Sequence, residues 1–139
     1  APYAAPEGFV PERVVSVDIA TPGLLPDNAR PYEKRIDLAF DHHPSFEHFG
    51  KANIVCPEAA ACGELLYDIL AELGPITPAI ALPLYVAVST DTGCFAYANT
   101  TPHTHAVAAA LMRTGIDYRA VNKTFSARRA ESACSWRVP

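Results

Sequence analysis

No apolar stretch in this chain is long and uninterrupted enough to span a bilayer, and no charged-then-apolar segment opens it in the manner of a signal peptide. Those two absences predict no membrane partner. Cysteine is sparse. Cys56, Cys62, Cys94 and Cys134 are the only four, and no two form a C-x-x-C pair. That argues against a structural zinc site and against a disulfide framework; it predicts a reduced cytoplasmic protein with free thiols. Positive charge is also short, with 11 Lys and Arg against 15 Asp and Glu and a net charge of −4. Long duplex nucleic acid is held through clustered Lys and Arg. The balance argues against such a partner and remains compatible with a small phosphorylated substrate held by metal ions. There are no internal repeats.

Half of the 139 residues are hydrophobic, enough to build the core of one ordinary domain. The chain opens on Ala1, and its first residues, Ala-Pro-Tyr-Ala-Ala-Pro-Glu-Gly, read as a loop that extends over 1–12. The expectation is that something was removed upstream or that the chain is a piece of a longer protein. Val14, Val15 and Val17 form a β-branched run ending at Asp18, which predicts a buried strand. Residues 21–31 hold three prolines and a glycine and predict a loop. A second strand is predicted over 36–40, ending at Asp41-His42-His43-Pro44, and a third over Ala52–Val55.

Residues 59–73 have helical spacing, with Leu65, Leu66, Ile69, Leu70 and Leu73 on one face and Gly74-Pro75 as the stop. Thr77 and Pro78 start a further helix over 78–88, apolar all round and therefore buried, which Pro83 should bend or break. A strand over 84–88 remains the alternative there. Thr101-Pro102 marks another helix start, with Val107, Leu111 and Met112 as its stripe and Gly115 as its end. A last helix is predicted over 117–125, and a tail over 126–139 with no period. Strands alternating with helices predict an α/β fold whose sheet is mostly parallel.

Three apolar runs end in acidic or imidazole residues, at Asp18, at Asp41-His42-His43 and at Asp91. In an open parallel sheet the carboxyl ends of the strands line one crevice, where ligands bind. Asp18, His42, His43 and Asp91 are thus expected to converge, and carboxylate with imidazole suits a divalent ion such as Mn²⁺. Each feature also has a structural reading. Asp18 fits a turn or cap. His42 and His43 fit a half-buried pair, and Asp91-Thr92-Gly93 fits a turn with Gly93 supplying positive φ. Cys56, Cys62 and Cys94 read as small core fillers. His103 and His105 fall in the first turn of their helix, facing solvent or touching phosphate.

Taken together these segments resemble the DHH phosphoesterases. Asp41-His42-His43-Pro44 resembles the motif that names the family. Ser89-Thr90-Asp91-Thr92-Gly93-Cys94-Phe95 followed by Asn99-Thr100-Thr101-Pro102 resembles its last motif, and Val17-Asp18 resembles the strand-end Asp of its second. Asn53-Ile54-Val55, Ala59-Ala60 and Gly63-Glu64-Leu65 resemble the strand and helix that follow DHH. The resemblance covers 13–125, a partial DHH domain with a Rossmann-like sheet flanked by helices. Within the family it is nearest to the bifunctional oligoribonucleases and pAp phosphatases, whose substrates are short RNA and 3′-phosphoadenosine 5′-phosphate (pAp).

The resemblance implies a two-metal Mn²⁺ hydrolase. Asp18 would bridge the ions, and His42 and Asp91 would ligate one of them. His43 would contact the scissile phosphate, with Asp41 behind the histidines, and Thr92 and Asn99 would touch substrate. Nothing before Asp18 resembles the family's first motif, and its small C-terminal domain is also unmatched. The second ion then keeps Asp18 alone, so the expectation is that this chain by itself is inactive while the intact protein is active. The alternatives are a non-catalytic, degenerate DHH module and a pyrophosphatase of the same family. A sheet that lacks the first motif's strand is further expected to leave the chain marginally stable or self-associating as a homo-oligomer.

Overall fold

The structure, a computed structural model, describes residues 5, 6 and 8–125; the expected tail at 126–139 lies outside them. The chain divides into two compact units, Ala1–Glu58 and Ala59–Pro139.

The first unit is built on three parallel strands, β1 (Val15–Val17), β2 (Leu38–Asp41) and β3 (Ala52–Val55), in the order β1-β2-β3. Val17 pairs with Phe40, and Phe40 with Ile54. All three strands were legible as short β-branched or apolar runs, β3 with its bounds and the other two with ends shifted by one or two residues; but β1 is not the buried strand expected, since Val15 and Val17 are 54% and 42% exposed. β2 is central, and Ala39 and Asp41 on it are fully buried. Parallel neighbours need a crossover. The one between β1 and β2 is carried by two 3-10 turns, Pro22–Leu24 and Arg30–Arg35, each with proline in its first positions. Leu25, Ile36, Ala39 and Phe46 form the small core. The connection from β2 to β3 has no helix. It starts at His42-His43-Pro44, is plugged by Phe46 and closes at Gly50, whose N–H and carbonyl are both held by the Asn53 amide at 2.9 and 2.8 Å. Asp37 pins the start of the sheet: its carboxylate accepts from the Val14 N–H at 3.0 Å and from Lys51 Nζ at 2.7 Å.

The second unit is helical. It holds α1 (Cys62–Leu73), α2 (Pro78–Asp91) and α3 (Pro102–Arg113), with further helical residues at 118–125. α2 packs on both α1 and α3, but it is buried only in part and not all round as expected, since Leu82 on it is 42% exposed. Ala81, Leu84, Tyr85 and Val88 of α2 meet Val107, Ala108 and Leu111 of α3 in one core. Gly63 lets α1 approach closely, because a Cβ there would lie 2.8 Å from the Ala87 Cβ.

Two expectations for this unit are corrected. Pro83 does not break α2, which runs unbroken to Asp91, and no strand forms over 84–88. A proline inside a helix costs about 3 kcal/mol. Burying Leu84, Tyr85 and Val88 around it offsets that, at about 1.5–3 kcal/mol for each large side chain. Leu73, expected on one face of α1 with Leu65, Leu66, Ile69 and Leu70, is 78% exposed. The start of α3 is as expected and stronger: Thr101 and Thr104 cap each other reciprocally.

The sheet in the first unit and the helices in the second together give the expected α/β class.

Candidate metal centre

Asp18 follows β1 with φ of 60°. Asp tolerates this left-handed conformation better than most residues because its short side chain bonds locally. Its N–H still bonds the Phe40 carbonyl at 3.0 Å, so the ladder continues one residue past the strand before the chain turns away. His42 and His43 follow β2 directly. The two strand ends are neighbours in the sheet, which brings Asp18 Oδ1 to 3.5 Å from His42 Nε2 and 3.8 Å from His43 Nδ1. The imidazoles meet edge to face, with centroids 4.7 Å apart.

Asp18, His42 and His43 each offer one ligand atom, and these atoms all lie within 4.8 Å of one another. Among the described residues they form the one such group. One carboxylate and two imidazoles fit a divalent transition ion. Behind them Asp41, fully buried, accepts from both the His43 N–H at 2.6 Å and His43 Nδ1 at 2.7 Å. A carboxylate behind an imidazole fixes the ring and its tautomer. Its other oxygen, Oδ2, is buried with no hydrogen-bond partner among the described residues. A buried oxygen left unsatisfied beside this donor set is compatible with a cation held there.

Asp91 lies in the second unit as the last residue of α2. It therefore closes a helix and not a strand, so the strand-end argument made from the sequence does not extend to it. An acid at the negative pole of a helix is unfavourable by about 0.3–1 kcal/mol, so helix stability does not explain its presence. The turn after it is unusual. Gly93, Cys94 and Phe95 have φ of 56°, 55° and 65° in succession, and a left-handed residue other than glycine costs about 1–2 kcal/mol. Thr92 is fully buried. Its hydroxyl donates to the Val88 carbonyl at 2.6 Å and accepts from the Phe95 N–H at 3.1 Å. Asn99 is exposed, and its Nδ2 donates to the Ala60 and Asp91 carbonyls at 2.9 and 3.1 Å. Both side chains thus brace the loop that leaves Asp91.

Two features went unread in the sequence. Glu64 is buried at the start of α1, where Ala61 offers no side-chain cap. Its Oε2 accepts from the Ala60 N–H at 3.3 Å and from Thr104 Oγ1 at 2.9 Å, tying α1 to α3. His103 bonds Asp68 at 2.9 Å in place of facing solvent alone. An acid in the first turn of a helix without a Ser, Thr, Asp or Asn cap was the available signal for Glu64. The three described cysteines are free thiols, and only Cys62 of them is buried, so Cys56 and Cys94 are not core fillers. No described helix is long and apolar enough to cross a membrane.

A parallel sheet carrying an acid–imidazole cluster at adjacent strand ends offers a donor set that suits a divalent cation. Among known proteins, the chain is 40% identical over 80 residues to the bifunctional oligoribonuclease and PAP phosphatase NrnA of Thermus thermophilus, a match covering 57% of this chain and 25% of that one. It is 29% identical over 109 residues to the probable NrnA of Streptococcus mutans, covering 78% of this chain and 35% of the relative. An exopolyphosphatase-related protein from Bacteroides fragilis shares the fold with a TM-score of 0.71 at 21% identity, over 81% of this chain and 34% of that one. No family model matches the chain. Over the stretch it shares with these relatives, the chain is similar to them, which supports the resemblance to the DHH phosphoesterases. It spans about a quarter to a third of the length of the curated relatives it matches.

Proposed function

We propose that the chain carries one metal-holding part of a phosphoester hydrolase site that cleaves short oligoribonucleotides or pAp. The observation that carries the reading is the meeting of Asp18, His42 and His43 within 4.8 Å at adjacent parallel strand ends. The names of the two curated relatives support the substrate class. Asp18 and His42 would hold the ion, with Asp91 proposed as a further ligand on its sequence motif alone, and Mn²⁺ is the first choice for that donor set. Bound there, a divalent cation supplies charge against a phosphoryl oxygen and lowers the pKa of an attacking water. His43 meets the phosphate. Asp41 holds the His43 ring in place through Nδ1, 2.7 Å from its Oδ1. Thr92 and Asn99 hold the loop on the substrate side of Asp91. The protein works in the cytoplasm, where such nucleotides occur.

The test gives the full-length protein a dinucleotide RNA, pAp and pyrophosphate side by side, with and without Mn²⁺. Consumption of the first two only with the metal is expected. If pyrophosphate alone is consumed, the reading is wrong. Near wild-type turnover in His42→Ala or Asp91→Ala would remove the metal assignment.

A further inference from the structure

Several large apolar side chains stand exposed on this chain, so exposure alone does not single out Tyr97, at 55%. Its support does. The far end of its ring rests directly on Gly93, where any Cβ would overlap the ring carbons. One ring face is therefore seated on backbone while the residue stays more than half open to solvent. The loop beneath is held at several points. The Tyr97 N–H bonds the Thr92 carbonyl at 3.0 Å, the Tyr97 carbonyl accepts from the Thr100 N–H at 3.1 Å, and Asn99 ties the far end back to Ala60 and Asp91. The left-handed run at Gly93, Cys94 and Phe95 sets the direction in which Tyr97 leaves the turn. Backbone strain of this kind persists where surrounding contacts over-determine it, and it clusters at ligand-gripping positions. A rigidly seated aromatic face that solvent can reach, on the loop of a proposed metal ligand, is the form of a stacking platform, and every nucleobase has a π-face to offer it.

We infer that the Tyr97 ring stacks on a nucleobase of the substrate, making it the residue that favours nucleotides over base-free phosphate esters. This rests on the phosphoester reading above. It assigns Tyr97 to base holding and to no part of the bond-breaking chemistry.

The experiment compares adenosine 5′-monophosphate with ribose 5-phosphate, which differ only by the base. Binding to the full-length protein with Mn²⁺ is measured by calorimetry, and the adenine ring protons are followed by NMR. The wild type should bind the nucleotide more tightly and shift its ring protons upfield. Tyr97→Leu should weaken nucleotide binding about 5- to 100-fold, abolish the upfield shift and leave ribose 5-phosphate unchanged. Tyr97→Phe should restore both, which a merely structural role for the hydroxyl or the ring volume would not do in this pattern. If the nucleotide binds tightly and Tyr97→Leu changes nothing, or if the wild type binds both ligands equally, the stacking assignment is overturned while the hydrolase reading stands. If neither ligand binds with Mn²⁺ present, the hydrolase reading falls and takes this one with it.

Discussion

One oxygen of Asp41 holds His43 twice, at its backbone N–H and at its ring Nδ1, at 2.6 and 2.7 Å. Two bonds to one acceptor set both the entry of the chain into the crossover and the rotation of the imidazole. Asp41→Asn keeps the shape but offers only a neutral oxygen to the two bonds and puts an NH₂ group where Oδ2 has no partner. Mn²⁺ affinity should fall about 10- to 100-fold, the usual effect of removing a carboxylate behind a ligand-site imidazole. Calorimetric titration of Mn²⁺ into the two proteins checks it; equal affinities would show that Asp41 serves the fold alone.

At Asp18, backbone and ligand roles can be separated. The residue sits at φ of 60°, a conformation that Asn tolerates and Ala does not. Asp18→Asn should melt close to wild type yet lose most Mn²⁺ binding. Asp18→Ala should lose both. Normal Mn²⁺ binding by the Asp18→Asn protein would take Asp18 out of the cation site.

Much of this centre was readable from sequence because its residues end strands. Val-Val-Ser-Val before Asp18 and the apolar run before Asp41 follow the parallel-sheet rule that puts strand ends at one lip. Asp91 ends an apolar run too, but periodicity does not separate a fully buried helix from a buried strand. α2, apolar on every side, was therefore open to both readings, and Pro83 pushed the expectation toward a break. The bracing roles of Glu64 and Thr92 were not legible because they depend on which helices meet. That is decided by packing among Ala81, Val88 and Val107 and not by any local pattern.

Asp37 links acid stability to the sheet. The hydrogen bond from Lys51, then that from the Val14 N–H, holds its carboxyl below the usual carboxylate range. A carboxyl whose folded pKa is depressed stabilises the fold above its unfolded pKa, and that contribution is lost as pH falls through the folded value. Wild type should therefore be more stable than Asp37→Asn at neutral pH. The gap should close as the pH is taken below roughly 4. Urea melts at a series of pH values check this, and a gap that persists in acid would assign the stabilisation to shape and not to charge.

Glu64 joins α1 to α3 through Thr104 in a site that solvent does not reach. Glu64→Ala leaves the Ala60 N–H and the Thr104 hydroxyl without that acceptor, at about 1–3 kcal/mol for a buried group left unpaired. Thr104→Ser should cost less, since it keeps the hydroxyl that serves both Glu64 and the Thr101 N–H. Thermal melts of the two variants test the order, and an equal or reversed cost would place the Glu64 bond outside the stability of this unit.

Gly93 carries two separate demands, a left-handed backbone and a Tyr97 ring resting where a Cβ would stand. Gly93→Ala should cost about 1–2 kcal/mol from the backbone alone and more from the collision. Removing the ring first should relieve only the second part. In a double-mutant cycle, Gly93→Ala should then be less damaging in a Tyr97→Ala background than in wild type, a coupling of about 0.5–3 kcal/mol between touching residues. Strict additivity of the two melting shifts would mean that the ring moves away freely, and a ring that moves freely is not a seated platform.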